Sequence, residues 1–277
     1  MERDAKKIFW YTLAFMAFST VWAFGNVVNG YSEFGGLKSI VSWVLIFVIY
    51  FIPYSLIVGE LGSTFKDAGG GVSSWISSTH GKLLAYYTGW TMWVVHMPYI
   101  SQKPSRIIAA FSWTVFRDNR ISKMDITYLQ IASLVIFLVA LFLATRGVNL
   151  IKKMAMLAGS SMFIMSLLFV VMAITAPSIT GAKTFNIDWS LDTFMPTFDV
   201  KYITSIAILV FAVGGCEKIS PYVNKMKNPS KDFPRGMIAL VVMVCTTAIL
   251  GTFALALMFD TNNIPKDLLT NGTYYAF

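Results

Sequence analysis

Apolar residues fall along this chain in long blocks divided by short polar connections. Seven of the blocks are long enough to cross a bilayer core as helices. They read as Phe9–Gly30, Ser39–Leu61, Leu84–Trp113, Ile126–Thr145, Met154–Ala176, Ile203–Tyr222 and Met237–Phe259. The sixth block is interrupted, because Leu209-Val210-Phe211-Ala212-Val213-Gly214-Gly215-Cys216-Glu217-Lys218 places a diglycine and a carboxylate inside an apolar run. Glycine pairs weaken a helix, and peptide groups freed at membrane depth must face protein or a water-filled cavity. Glu217 carries the same requirement. The pattern leaves two readings open: a helix broken near the midplane, as in many transporter substrate sites, or a glycine-lined helix crossing with Glu217 at the cytosolic interface.

The first block holds Ser19-Thr20-Val21-Trp22-Ala23-Phe24-Gly25-Asn26, and a second break is expected around Ala23–Asn26. Amides freed there would hold an anionic group at a half-helix N-terminus. The alternative is that Ser19 and Thr20 bond back to their own helix while the small residues let helices approach. The third block carries His96, Pro98, Gln102, Lys103, Pro104 and Arg106 in what reads as one helix longer than a bilayer needs. At about 1.5 Å per residue from Leu84, Lys103 and Arg106 reach the outer end of the hydrocarbon, either to snorkel or to attract substrate. His96 lies deeper, as a proton relay or as a plainly hydrogen-bonded histidine. Between the second and third blocks, Gly59 to Gly71 is glycine-rich but lacks the Gly-Lys-Ser/Thr end of a phosphate loop, so a loop leading into an interfacial half-helix over Val72–Ser78 is expected. The fourth and fifth blocks read as scaffold.

Composition agrees: 56% of the 277 residues are hydrophobic and 13% charged, against about 25% charged in soluble domains. The formal charge of +8 sits mainly in loops, which points to topology and anionic headgroups rather than to nucleic acid. Arg3, Lys6 and Lys7 predict a cytosolic N-terminus. Arg146, Lys152 and Lys153, and later Lys225, Lys227, Lys231 and Arg235, then fall on the same side. The loop expected outside holds Asp188, Asp192 and Asp199 against Lys183 and Lys201, while the loop with Arg117, Arg120 and Lys123 dissents, diluted by Asp118 and Asp125. Cys216 and Cys245 match no metal-ligand or disulfide spacing. No cleavable signal peptide is read at the start. No HExxH motif, nucleophile elbow or paired metal ligands appear, so no enzyme, metal or cofactor is expected. Asn271-Gly272-Thr273 fits a glycosylation pattern in a terminal segment, Thr261 to Phe277, expected outside.

At Phe211-Ala212-Val213-Gly214-Gly215-Cys216-Glu217, followed by Lys227-Asn228-Pro229-Ser230-Lys231-Asp232-Phe233-Pro234-Arg235, the chain resembles the amino acid–polyamine–organocation (APC) permeases. Phe18 to Gly30, with Phe51-Ile52-Pro53 and Gly59-Glu60-Leu61, looks most like the bacterial glutamate/γ-aminobutyrate antiporter branch. The resemblance implies an all-α integral membrane fold of five-plus-five inverted repeats, with substrate between the unwound parts of helices one and six. Residues 1–176 would be the first five-helix repeat and 201–277 the start of an incomplete second one, so the chain looks like the N-terminal part of a fold of about twelve helices. An isolated part of that kind would leave the surfaces meant for helices eight to ten unpartnered.

The resemblance also assigns residues. Ala23, Phe24 and Gly25 would form the first break, Phe211 an aromatic gate, Gly214 and Gly215 the freed backbone, and Glu217 the acidic residue of substrate or proton coupling. Thr20, Asn26 and Cys216, from the stretches at the two breaks, would join them around substrate, and His96 and Lys103, on their own position and chemistry, would serve coupling or gating. Many relatives have Gly-Ser-Gly where this chain has Ala23-Phe24-Gly25, so backbone amides rather than a hydroxyl would meet a carboxylate. The function implied is secondary transport of an amino acid or related amine across the cytoplasmic membrane by alternating access, with a proton or an exchanged amino acid as the second partner. The competing function is a substrate-binding or sensor membrane protein that does not complete the cycle.

Overall fold

The computed structural model describes residues 8–181, 185 and 187–260, and every named element among them is a helix. In order they are α1 Trp10–Val21, α2 Phe24–Glu33, α3 Lys38–Ile46, α4 Ile52–Thr64, α5 Val72–His80, α6 Lys82–Ser101, α7 Lys103–Phe116, α8 Ile126–Thr145, α9 Val148–Thr180, α10 Leu191–Phe194, α11 Val200–Val213 and α12 Pro229–Met258. A π turn at Phe47–Phe51 joins α3 to α4, and a 3-10 helix runs from Cys216 to Lys225. The expected terminal segment with Asn271, and Arg3, Lys6, Lys7 and Lys183, lie outside the described residues.

Among the described residues, five helical runs are long and apolar enough to cross a membrane: Lys38–Thr64, Ile126–Thr145, Val148–Ile179, Val200–Lys225 and Pro229–Met258. The pair α1 and α2, bent by 44°, makes a sixth. The block expected as one long third helix is instead divided at Gln102 into α6 and α7. Pro104, in the first turn of α7, has no N–H to return to Ile100, and its ring crowds that carbonyl. The short helix expected after the glycine loop is α5. Helix α12 starts at Pro229 rather than Met237, because the loop motif caps it: Pro229 takes the first helical position, and the Asp232 carboxylate accepts from the Asn228 N–H at 3.2 Å.

The described residues up to Gly71 and from Ala155 onward form one compact unit, and Val72–Met154 form a second. This division by packing differs in kind from the expected division into repeats. In the first unit α12 is the central helix. Phe233, Met237, Leu240, Val244 and Ala248 follow a spacing of three or four and are fully buried. Glycines let the neighbours close on it: a Cβ at Gly62 of α4 would meet the Phe233 ring, one at Gly236 would meet Leu13 of α1, and one at Gly251 would lie 3.1 Å from Phe24 of α2. Between α9 and α1 the approach is closer still, since a Cβ at Gly159 would meet the backbone carbonyl of Phe15. Ile8 forms an isolated parallel bridge with Met226, its N–H donating to Lys225 O at 3.0 Å and its O accepting from Lys227 N at 3.1 Å.

In the second unit α5 lies against α6, where Gly89 leaves room for Ser73, and α7 packs against α8. The loop between α7 and α8 closes through Ser112, which donates to Asp118 O and accepts from Ile121 N. Asp125 caps α8 by accepting from Thr127 N at 2.8 Å. The Arg120 guanidinium, 2.9 Å from Asp118, holds that carboxyl below the usual carboxylate range. Helices α6 and α8 bury none of their residues, and of the two only α8 is long and apolar enough to cross a membrane.

Candidate functional site

The first break forms because the last turn of α1 turns its polar groups back on itself. Ser19 and Thr20 both donate to Met16 O, at 2.8 and 2.9 Å, and Trp22 N donates to Phe18 O. Such back-bonding bends helices. Trp22 (φ −88°, ψ 142°) and Ala23 (φ −147°, ψ 130°) are extended, and α2 starts at Phe24. The break therefore lies at Trp22–Ala23 rather than across Ala23–Asn26, and Phe24, Gly25 and Asn26 form the first turn of the new helix. Asn26 N donates to Ala23 O at 2.8 Å, and this turn is the positive end of the new helix.

The second break lies where the diglycine places it. Helix α11 ends at Val213, Gly214 is extended (φ −74°, ψ 155°), and Gly215 has φ +111°. Only glycine enters that region without strain. The chain then continues as the 3-10 helix rather than resuming an α-helix. One hydrogen bond joins the breaks: Asn26 Nδ2, in the first turn after the first, donates to Ala212 O, in the last turn before the second, at 3.2 Å.

Helix α4 grips the residues just past Gly215. Tyr54 Oη donates to Glu217 Oε2 at 2.5 Å, and Ser55 Oγ donates to Cys216 Sγ at 3.9 Å. The rings of Tyr54 and Tyr50 stack with centroids 5.3 Å apart. Ser220 Oγ donates to Glu217 O at 2.6 Å, turning the 3-10 helix tightly.

The other expected site residues fall in several places. Thr20 spends its hydroxyl within α1. Phe24 is buried with its ring edge-on to Phe169 at 4.8 Å. Cys216 is fully buried, while Phe211 is 74% exposed, away from the packed junction. His96 bonds Met92 O at 2.5 Å, and Lys103 donates to Tyr99 Oη at 2.6 Å with its ammonium 4.0 Å over that ring, all within the second unit. No group of three or more His, Cys, Asp or Glu among the described residues could hold a metal ion. A cavity of about 790 Å³ is lined instead by residues such as Glu33, Lys38, Asp192, Asp199 and Lys201, and none of the break residues borders it. Sequence reasoning missed Tyr50, Tyr54 and Ser55. Their signal was present as two tyrosines four apart on one helical face beside Pro53.

The family model for amino acid permeases matches residues 8–276. The aspartate/glutamate permease AcaP of Lactococcus lactis subsp. cremoris is 53% identical over 99% of this chain and 56% of its own length. The inner membrane transporter YjeM of Escherichia coli is 22% identical over 99% of this chain and 55% of its own. A glutamate/gamma-aminobutyrate antiporter of Lactococcus lactis subsp. lactis is 22% identical over 78% of this chain and 43% of its own. The chain spans about half the length of these relatives. With a family match running from the first described residue through both breaks, this multi-pass membrane chain belongs to the amino acid permease family of the APC superfamily, a family of transporters rather than enzymes.

Proposed function

We propose that the protein carries an amino acid, aspartate or glutamate by its likeness to AcaP, across the cytoplasmic membrane by alternating access, as an antiporter or in symport with protons. The observation that carries this reading is the bond from Asn26 to Ala212, which draws the two helix breaks together. The start of α2 offers the Gly25 amide and its positive dipole to a carboxylate, and the opened turn offers the Gly214 carbonyl to an ammonium. Glu217, two residues on, serves coupling, with His96 and Lys103 as accessory coupling or gating residues. In this proposal residues 1–176 form the first repeat and 201–277 begin the second.

Radiolabelled uptake into proteoliposomes, using protein expressed from its natural reading frame and a panel of competing amino acids, tests the reading. Aspartate and glutamate are expected to compete best; competition by neither defeats the substrate assignment. The second reading, a membrane protein that binds an amino acid without carrying it, is motivated by the chain's spanning about half of its relatives' length. Binding without uptake would favour it. Glu217→Gln is expected to lower pH-gradient-driven uptake roughly tenfold while substrate binding is largely kept, the scale of a lost interaction with a charged group. Wild-type rate and pH dependence in that variant would leave Glu217 without a coupling role.

The orientation is part of the proposal. With a cytosolic N-terminus, a cysteine placed at Ser230 is expected to resist an impermeant thiol reagent in intact cells. Labelling there from outside would reverse the topology.

A further inference from the structure

We infer that Tyr54 is the positioning residue for Glu217, the group that fixes where the coupling carboxylate stands relative to the second break. The inference rests on the coupling role proposed for Glu217. Nothing in Glu217's own element orients it: Gly215 at φ +111° opens the 3-10 helix without a side-chain cap, and the carboxylate sits in its first turn. Among the described residues its one side-chain hydrogen bond comes from Tyr54 Oη on another helix, at 2.5 Å. That is the short end of the range for an O–H···O bond.

Tyr54 is itself held by local sequence. Pro53 lacks an N–H and its ring crowds the carbonyl four residues back, and the preceding turn relaxes into the π segment Phe47–Phe51, in which Ile52 N reaches back to Phe47 O. An extra residue in one turn rotates everything after it about the helix axis. Tyr54 and Ser55 thereby meet Glu217 and Cys216, two successive residues on two successive residues. The Tyr50 ring, stacked on Tyr54 at an interplanar angle of 14°, restricts the phenol to that direction. A carboxylate past a flexible diglycine is therefore docked on a stiff helix.

Tyr54→Phe removes one oxygen and leaves the stack. Its maximal uptake rate is expected to fall about tenfold, with the half-saturating substrate concentration within about twofold of wild type, because the site at the breaks is untouched. Glu217→Asp, which withdraws the carboxylate from Tyr54 by one methylene and alters no packed ring, is expected to show the same loss. The double variant Tyr54→Phe/Glu217→Gln is expected to be no slower than Glu217→Gln alone, since a side chain that no longer couples gains nothing from being positioned. Wild-type rates in Tyr54→Phe, wild-type rates in Glu217→Asp, or multiplying losses in the double variant would each overturn the assignment. If Glu217→Gln itself transports as wild type, the coupling reading fails and the role of Tyr54 with it. If Glu217→Gln is impaired while Tyr54→Phe is normal, only the assignment of Tyr54 falls.

Discussion

Gly159→Val is expected to destabilise the protein by about 3 kcal/mol, at the upper end of the usual cost of overpacking, and to abolish uptake. A Cβ at residue 159 would meet the carbonyl oxygen and carbon of Phe15, which are backbone atoms of α1. Backbone does not swing aside as the end of a side chain does, so α1 or α9 must translate. Phe163 of α9, which packs edge-on to Phe18 and 6.3 Å from Phe15, would be carried out of register with it. Displacement of α1 also moves Ser19 and Thr20, whose bonds to Met16 set up the first break. Thermal unfolding of the purified protein in detergent, followed beside uptake, checks the prediction. A melting temperature within a degree of wild type would mean that the two helices slide apart at little cost.

At the second break, Gly215→Val is expected to lose transport, while Gly214→Ala keeps most of it. The two positions are adjacent and differ in backbone conformation and in the room beside them. Gly215 has φ +111°, where a β-branched residue is strained by about 1–3 kcal/mol, and a Cβ there would lie 3.0 Å from Lys218 Nζ. Gly214 has φ −74°, open to any L-residue, and the nearest atom to its added Cβ is Val210 O at 3.5 Å. Relief of the strain at 215 requires the turn to rotate, and rotation re-aims Cys216 and Glu217 away from Ser55 and Tyr54. Uptake by the two variants in parallel decides the matter: equal activity would show that the positive φ is dispensable.

Both breaks were legible in the sequence because each lies in a short local patch: a diglycine at 214–215, and the polar, glycine-containing stretch from Ser19 to Asn26, although back-bonding by Ser19 and Thr20 read as the alternative to a break and in the structure accompanies it. The first was displaced toward Trp22, since it is the back-bonded turn, not the glycine at 25, that ends α1. The environment of Phe24 was not legible: its ring lies against Phe169 and beside Gly251, contacts made only when α2, α9 and α12 assemble. Tyr54 escaped notice for the same reason, because its partner is 163 residues away. The division of the third block at Gln102 was written in Pro104, whereas Pro98 is carried inside α6; hydropathy counts apolar residues and is blind to a missing N–H.

The bond between Asn26 and Ala212 joins residues 186 apart, which sets an order on biosynthesis. At about 5–20 residues per second, roughly 10–40 s pass between synthesis of the first partner and of the second. Throughout that interval the nascent first span carries an open turn and an amide side chain at membrane depth, with its eventual acceptor still to be made. The early chain is therefore a substrate for whatever shelters polar groups during insertion, and a ribosome that stalls between α9 and α11 would leave that turn exposed for as long as it pauses.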